Sequence, residues 1–167
     1  MLPTPSSDDF LDSVRQRLLD TIGGELTAET MTRLNSDQIT LLAYFMLRDE
    51  VLDGGFVQLI HNGLGPFIFL NPFAKAMRLW GEEVETEGTT VLHDFAKLIQ
   101  KGRKLFGKHG EALTRPCTDE GFMALFEQYP QFDDLDDTFV EDEEEITAVI
   151  ARYVQLHLDH FVEERQN

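Results

Sequence analysis

The stretch that decides the fold class is residues 146–161, which read ITAVIARYVQLHLDHF. Its apolar side chains recur three and four positions apart, which is the spacing of one face of an α-helix. The stripe consists of Ile146, Val149, Ile150, Tyr153, Val154, His157 and Phe161. We therefore predict a C-terminal amphipathic helix over residues 141–164.

Helical spacing also dominates the sequence upstream of this stretch. It predicts further helices over residues 8–22, 36–52, 56–62, 71–80, 89–106 and 118–126. The one that Ser36 is predicted to cap is apolar on nearly all sides, so it is predicted to be a long central helix. No segment alternates with the period of two that is typical of a half-buried strand. The sequence predicts an all-α fold.

The domain organisation follows from the same pattern and from chain length. A chain of 167 residues is the usual size of one domain. We predict a compact multi-helix single domain over residues 8–167, preceded by a flexible N-terminal tail over residues 1–7. Glycines 54 and 55 are predicted to break or kink the central helix. Residues 107–116 and 128–140 are predicted to be irregular.

Cysteine content and apolar run lengths bear on localisation. Cys117 is the one cysteine, so no intramolecular disulfide is possible and a reducing compartment is favoured. The N-terminal residues show no basic and apolar pattern of a signal peptide. Apolar runs such as 64–70 are far too short to span a membrane. We predict a cytoplasmic protein.

Negative charge is concentrated in the last third of the chain. The net charge is −17, from 31 acidic and 14 basic residues. Residues 119–167 hold 15 acidic and 2 basic residues, a net charge of −13. Such a surface repels nucleic acid and anionic membranes and attracts basic partners over a Debye length of about 8 Å. We therefore predict no direct nucleic-acid partner and no membrane partner.

The densest part of this charge is residues 133–145, where nine of thirteen residues are acidic. Acidic residues that solvate a helix N-terminus and offset its dipole explain the second half of the run. A calcium loop starting at Asp134 is disfavoured, because Phe139 takes the position that requires glycine, although weak cation binding stays open. The third interpretation is mimicry of DNA phosphates. Apolar residues are interleaved with the acids and are predicted to fix them to the core: Phe132, Leu135, Phe139 and Val140.

Basic residues form a smaller series. Lys97, Lys101, Lys104 and Lys108 recur at helical spacing, with Arg103 beside them. They indicate either a solvated basic face or a surface complementary to the acidic segment, within the fold or across a dimer.

Catalytic motifs are absent from the sequence. It contains no phosphate-binding loop, no dinucleotide fingerprint, no nucleophile motif and no metal-ligand spacing. We predict no enzyme, no cofactor and no metal. An enzyme would need a pocket with convergent polar groups, for which the candidates are Glu50, Gln58, His61 and Asn62.

Residues 50–63, EVLDGGFVQLIHNG, resemble the signature of a bacterial family of DNA-mimic proteins of about this size, a helical domain family formerly of unknown function. Three positions differ, since Asp53 replaces the usual asparagine and Leu59-Ile60 replaces an aromatic pair. We predict structural roles for the motif, with Asp53 capping the helix that follows the glycines. The motif comprises Glu50, Asp53, Gly54, Gly55, Phe56, Gln58, Asn62 and Gly63.

The resemblance implies an all-α fold, a homodimer and an anti-repressor activity. Members of this family are expected to occupy the DNA-binding face of a transcription factor of helix-turn-helix type and to block its DNA binding. Our hypothesis is that the acidic segment binds such a DNA-binding protein. The alternative is a non-catalytic interaction or immunity-type module whose acids only solubilise it. The predicted phosphate-mimicking residues are Asp133, Asp134, Asp136, Asp137, Glu141, Asp142, Glu144 and Glu145.

Overall fold

A computed structural model describes residues 7–70 and 72–162 of the chain. The helices are α1 (Ser7–Thr21), α2 (Ala28–Met31), α3 (Ser36–His61), α4 (Phe73–Val84), α5 (Glu87–Thr114), α6 (Asp119–Gln128), α7 (Asp133–Leu156) and α8 (Leu158–Phe161). A π-helical turn (Pro66–Leu70) precedes α4, and a 3₁₀ turn (Pro130–Phe132) precedes α7. No strand occurs in the described residues, so the predicted all-α fold is confirmed. The predicted tail lies outside these residues except for Ser7, the first residue of α1.

Helix α3 is the central element, as predicted. It begins with a capping box in which the Asn35 side chain accepts from the Gln38 N–H and the Gln38 side chain accepts from the Asn35 N–H. Asn35 is therefore the N-cap, one residue before the predicted cap Ser36. Half of the helix's side chains are buried, because α1, α5 and α7 all pack against it.

Aromatic side chains fill the space between α3, α5 and α7. The Phe95 ring lies 5.8 Å from the Tyr44 ring and 5.9 Å from the Phe139 ring, so each of the three helices contributes one ring. A second stack joins α4 to α7, where Trp80 and Tyr153 are nearly parallel at 4.2 Å. Such contacts fix α7 rigidly along one side of the molecule.

The predicted kink in the central helix is confirmed at Gly55. This residue has φ 78° and ψ −177°, a left-handed conformation that residues with a side chain rarely adopt. Helical geometry resumes at Phe56 and continues to His61. The N–H of Phe56, the first residue of this second part, donates a hydrogen bond to a side chain of α7.

Two segments that were predicted to be irregular are mostly helical. Helix α5 continues through Gly107 to Thr114, because Leu113 is fully buried and Gly110 packs against Phe106. Helix α7 begins at Asp133, eight residues before the predicted start. Its apolar stripe extends back to Phe139 and Leu135.

The C-terminal helix also ends earlier than predicted. His157 leaves the helical region with φ −127° and ψ 39°, and the short helix α8 follows it. The predicted end at residue 164 lies outside the described residues.

Candidate protein-interaction surface

Helix α7 divides its nine N-terminal carboxylates into two groups. Each residue turns a helix by about 100°, so a regular helix assigns every position to a side. Six exposed carboxylates lie within an arc of about 120°, opposite the buried side chains of Leu135 and Phe139. We call these six the acidic face: Asp133, Asp134, Asp137, Glu141, Glu144 and Glu145. From Asp133 to Glu145 the face is about 18 Å long.

The remaining three carboxylates are half-buried. They are Asp136, Asp142 and Glu143. Two of them, Asp136 and Asp142, belong to the predicted phosphate-mimicking set, and the structure does not place them on the acidic face. Glu143 was not predicted to have a role, yet it is one of the contacts that hold α7 in place.

Asp136 caps the second part of α3. Its Oδ1 accepts a hydrogen bond from the Phe56 N–H at 2.7 Å, across a sequence separation of 80 residues. The pKa of Asp136 is raised to about 6, chiefly by burial, with the hydrogen bond from Phe56 acting to lower it and the charges of Asp133 and Asp137 acting to raise it. This carboxylate therefore joins α7 to the kink in α3.

Arg48 is a second anchor of α7. Its guanidinium is largely buried and lies 3.1 Å from the Asp8 carboxylate and 3.8 Å from the Glu143 carboxylate. Glu143 also accepts a hydrogen bond from the Thr147 hydroxyl at 3.1 Å, and Thr147 is bonded to the Tyr44 hydroxyl at 2.7 Å. Burial raises the pKa of Tyr44, so its hydroxyl stays protonated. The acidic face thus lies on a helix that α3 holds by charged and polar contacts.

Three of the four predicted apolar anchors are confirmed. Phe132, Leu135 and Phe139 are buried, whereas Val140 is 55 % exposed and was predicted wrongly. Val140 lies beside the acidic face, because its position on the helix is about 60° from that of Asp137. The calcium-loop alternative is also wrong, since residues 134–145 form continuous helix and contain no loop.

The family motif forms a hydrogen-bonded network across the kink. The Gln58 amide donates to Glu50 at 3.0 Å and to Asp53 at 2.8 Å, and the Asn62 amide donates to Glu50 at 3.0 Å. The network bridges the two parts of α3. The predicted helix cap was wrong, because Asp53 accepts from Gln58 and Asp136 accepts from Phe56 instead.

The side chains considered for an enzyme pocket have structural partners. Gln58 and Asn62 both donate to Glu50, while His61 Nδ1 lies 2.8 Å from the Leu113 carbonyl oxygen. The His61 ring also packs on Phe122. These groups therefore hold α3, α5 and α6 together.

Residues 7–70 and 72–162 contain neither a candidate metal site nor a candidate membrane span. No three His, Cys, Asp or Glu side chains there come together in a group that could hold a metal ion. No helix in that part of the chain has the length and apolar character needed to cross a membrane.

Comparison with known proteins supports the resemblance. The model of the DMP19-like protein family matches residues 32–157, which include the motif, the kink and all of α7. The chain is 31% identical over 135 residues to the DNA mimic protein DMP19 of Neisseria meningitidis serogroup B (strain ATCC BAA-335 / MC58), and the match covers 80% of this chain and 75% of that protein. The chain therefore belongs to the DMP19-like protein family.

Proposed function

We propose that this protein is a DNA mimic that binds the DNA-binding face of another protein through the acidic face of α7. The observation that carries the proposal is the separation of the acids, with six carboxylates on the solvent side of residues 133–145 and no basic residue in that stretch. Family membership and the name of the Neisseria relative support the same role. A binding role is favoured over catalysis because the family's motif is used for structure.

The density of charge on the acidic face is close to that of a DNA strand. Six carboxylates over about 18 Å give about one charge per 3 Å, and the phosphates of one DNA strand recur every 3.4 Å along the axis. Lysine and arginine side chains that are placed to contact phosphates accept carboxylates as well, since both are anionic oxygen acceptors. The acidic face can therefore replace a stretch of one backbone strand.

A mimic must also be rigid, because each loose side chain or segment loses entropy on binding. The contacts of Asp136 with Phe56 and of Glu143 with Arg48 hold the helix that carries the face. The sequence pattern predicts Asp136 and Asp142 to be binding residues. We propose instead that Asp136 supports the acidic face and that Asp142 borders it.

The finer parts of the proposal concern the target and the assembly. We propose a transcription factor of helix-turn-helix type as the target and blocked DNA binding as the outcome, which gives anti-repressor activity where the target is a repressor. We also propose that the protein acts as a homodimer. Sedimentation of the purified chain tests the assembly independently of the target.

Affinity purification at two salt concentrations tests the function. The wild-type chain is expected to capture a DNA-binding protein at low salt and to release it as salt rises, because charge contacts are screened. The variant Asp133→Asn/Asp137→Asn/Glu141→Gln/Glu144→Gln is expected to bind the captured protein at least tenfold more weakly, about 1.4 kcal/mol. Added wild-type chain is expected to displace a DNA duplex from that target in fluorescence anisotropy.

A matched control removes the same charge elsewhere. Exposed acids outside α7 are neutralised in the variant Glu25→Gln/Glu29→Gln/Glu120→Gln/Glu127→Gln. Binding is expected to stay within a factor of about two to three. Equal loss in both variants, or a complex indifferent to salt, would show that the acids serve only solubility, which is the alternative of a non-mimic interaction or immunity-type module.

A further inference from the structure

Two regions of this acidic chain contain no acidic residue. They are residues 54–81 and 95–110, and random placement of the chain's 31 acids would leave about eight in these 28 and 16 positions. The first region supplies the π-helical turn and most of α4, and the second supplies the middle of α5. These elements pack against one another, so the acid-free regions form one continuous part of the molecule.

Basic side chains occupy the surface of this part. Exposed Lys75 and Arg78 on α4 and exposed Arg103 on α5 line a cavity of about 510 Å³. A neighbouring concavity of about 620 Å³ shares Arg103 and is lined by three lysines of the basic series, Lys97, Lys101 and Lys104. In the described part of the chain, no carboxylate lies within 4 Å of any of these six cations. None of the six is therefore ion-paired with another described residue.

The first cavity also has an apolar wall. Phe69 and Leu70 of the π-helical turn and Ile99 of α5 line it, and Leu70 is 58 % exposed. The wall depends on Gly102, because a Cβ there would lie 2.6 Å from the Phe69 ring. Gln100 adds an amide to the same cavity. π-Helical turns are rare and are frequent at functional sites, and this one forms a side of the cavity.

We propose that this cavity binds a phosphorylated small molecule of nucleotide size. Two guanidinium groups and an ammonium group suit phosphate, because arginine pairs with its oxygens in a bidentate manner and lysine adds a mobile charge. The apolar wall receives the organic part of the ligand. The volume falls in the range of about 300–1,000 Å³ that small-molecule sites occupy. The inference goes beyond the proposed function and does not depend on it, since it uses none of the acidic-face residues.

Calorimetry and NMR with three probes test the proposal on the full chain. ATP is expected to bind and to shift amide signals of residues 69–78 and 97–104, with affinity falling as salt rises. Inorganic tripolyphosphate has similar charge and no organic part, so it is expected to bind at least tenfold more weakly. A 12-nucleotide single-stranded DNA is expected to bind more weakly than ATP, because the chain's net charge repels a long polyanion.

Two double variants complete the test. Arg78→Gln/Arg103→Gln is expected to weaken ATP binding at least tenfold, and the control Arg33→Gln/Arg152→Gln, which removes exposed cations outside both concavities, is expected to leave it within twofold. Absence of binding at millimolar ATP, or equal loss in both variants, would overturn the site. Equal affinity for ATP and tripolyphosphate would overturn the role of the apolar wall. Tighter binding of the DNA than of ATP would overturn a small molecule as the ligand, in favour of nucleic acid.

Discussion

The Asp136 carboxylate and the Phe56 N–H are joined by a hydrogen bond of 2.7 Å that links α7 to the kink in α3. In the folded protein the pKa of this carboxyl is raised from 3.8 to about 6, chiefly by burial. The folded state therefore binds this proton more tightly than the unfolded chain does. It follows that the contribution of Asp136 to stability is greatest below pH 4 and falls as the pH rises to about 6.

We predict that Asp136→Asn stabilises the protein at pH 7. The amide oxygen can still accept from Phe56, while the cost of burying a charge disappears. The gain is about 1 kcal/mol, reduced because the group is partly exposed. Urea unfolding at pH 4 and pH 7 measures it, and the gain should shrink at the lower pH. Asp136→Ala should be less stable than Asp136→Asn by about 1 kcal/mol, since the cap is lost. Equal stability of the two variants would show that the hydrogen bond contributes nothing.

This contact illustrates what the sequence could and could not reveal. Glycines 54 and 55 indicated the kink, since glycine punctuates helices. The capping partner lies 80 residues away, so no local pattern could identify it. The local pattern indicated Asp53 instead, because it directly precedes the glycines. The start of α7 was misplaced for a related reason. Glu143 interrupts the apolar stripe between Phe139 and Ile146, and only tertiary contact with Arg48 explains an acid on the buried side.

Gly55 is expected to tolerate no side chain. Its φ of 78° strains other residues, and a Cβ there would collide with the Asp136 carboxylate. We predict that Gly55→Ala lowers the free energy of unfolding by about 2–4 kcal/mol. Gly107→Ala is the matched control, because that helical position has open space around it and alanine favours helix by up to about 1 kcal/mol. Chemical denaturation of both variants gives the comparison, and a loss of similar size at Gly107 would contradict the explanation.

Arg48 and Arg15 make similar contacts but are buried to different degrees, so a comparison of the two tests the effect of burial on stability. Both guanidinium groups lie over the Phe45 ring, at 5.2 and 4.9 Å, and both pair with aspartate. The Arg48 side chain is 10% exposed, whereas that of Arg15 is 32% exposed. Arg48→Met should cost about 2–4 kcal/mol, because Glu143 stays half-buried without its cation. Arg15→Met should cost less than about 1 kcal/mol. Thermal and urea unfolding measure both, and equal costs would argue against a special role for Arg48.

His160 gives stability that depends on pH in a different range. Its Nδ1 lies 3.0 Å from Asp37, and this hydrogen bond is the main cause of a raised His160 pKa. A raised pKa means that the protonated form is favoured by folding. The contribution is therefore full below pH 6.5 and is lost as the pH rises through the higher folded value. His160→Gln should flatten the stability profile above pH 6, whereas His109→Gln, which has no carboxylate within 4 Å in the described residues, should preserve it. An unchanged profile in His160→Gln would refute the assignment.

Repulsion between charges of the acidic face is expected to lower the free energy of unfolding at positions that support binding. Glu141 lies three and four residues before Glu144 and Glu145, and like charges at these spacings repel by about 0.2–0.5 kcal/mol per pair. We predict that Glu141→Gln/Glu144→Gln raises the free energy of unfolding by up to about 1 kcal/mol and weakens target binding.

The variant Asp133→Asn/Asp134→Asn should instead lower the free energy of unfolding. Those acids lie in the first turn of α7, where each offsets the helix dipole by about 0.3–1 kcal/mol. Urea unfolding at low and high salt measures both effects on stability, and both should diminish as salt screens the charges. If all four substitutions changed stability in the same direction, the acids would act through the helix alone. A gain in stability with a loss of binding at Glu141 and Glu144 is the result that a surface maintained for a partner predicts.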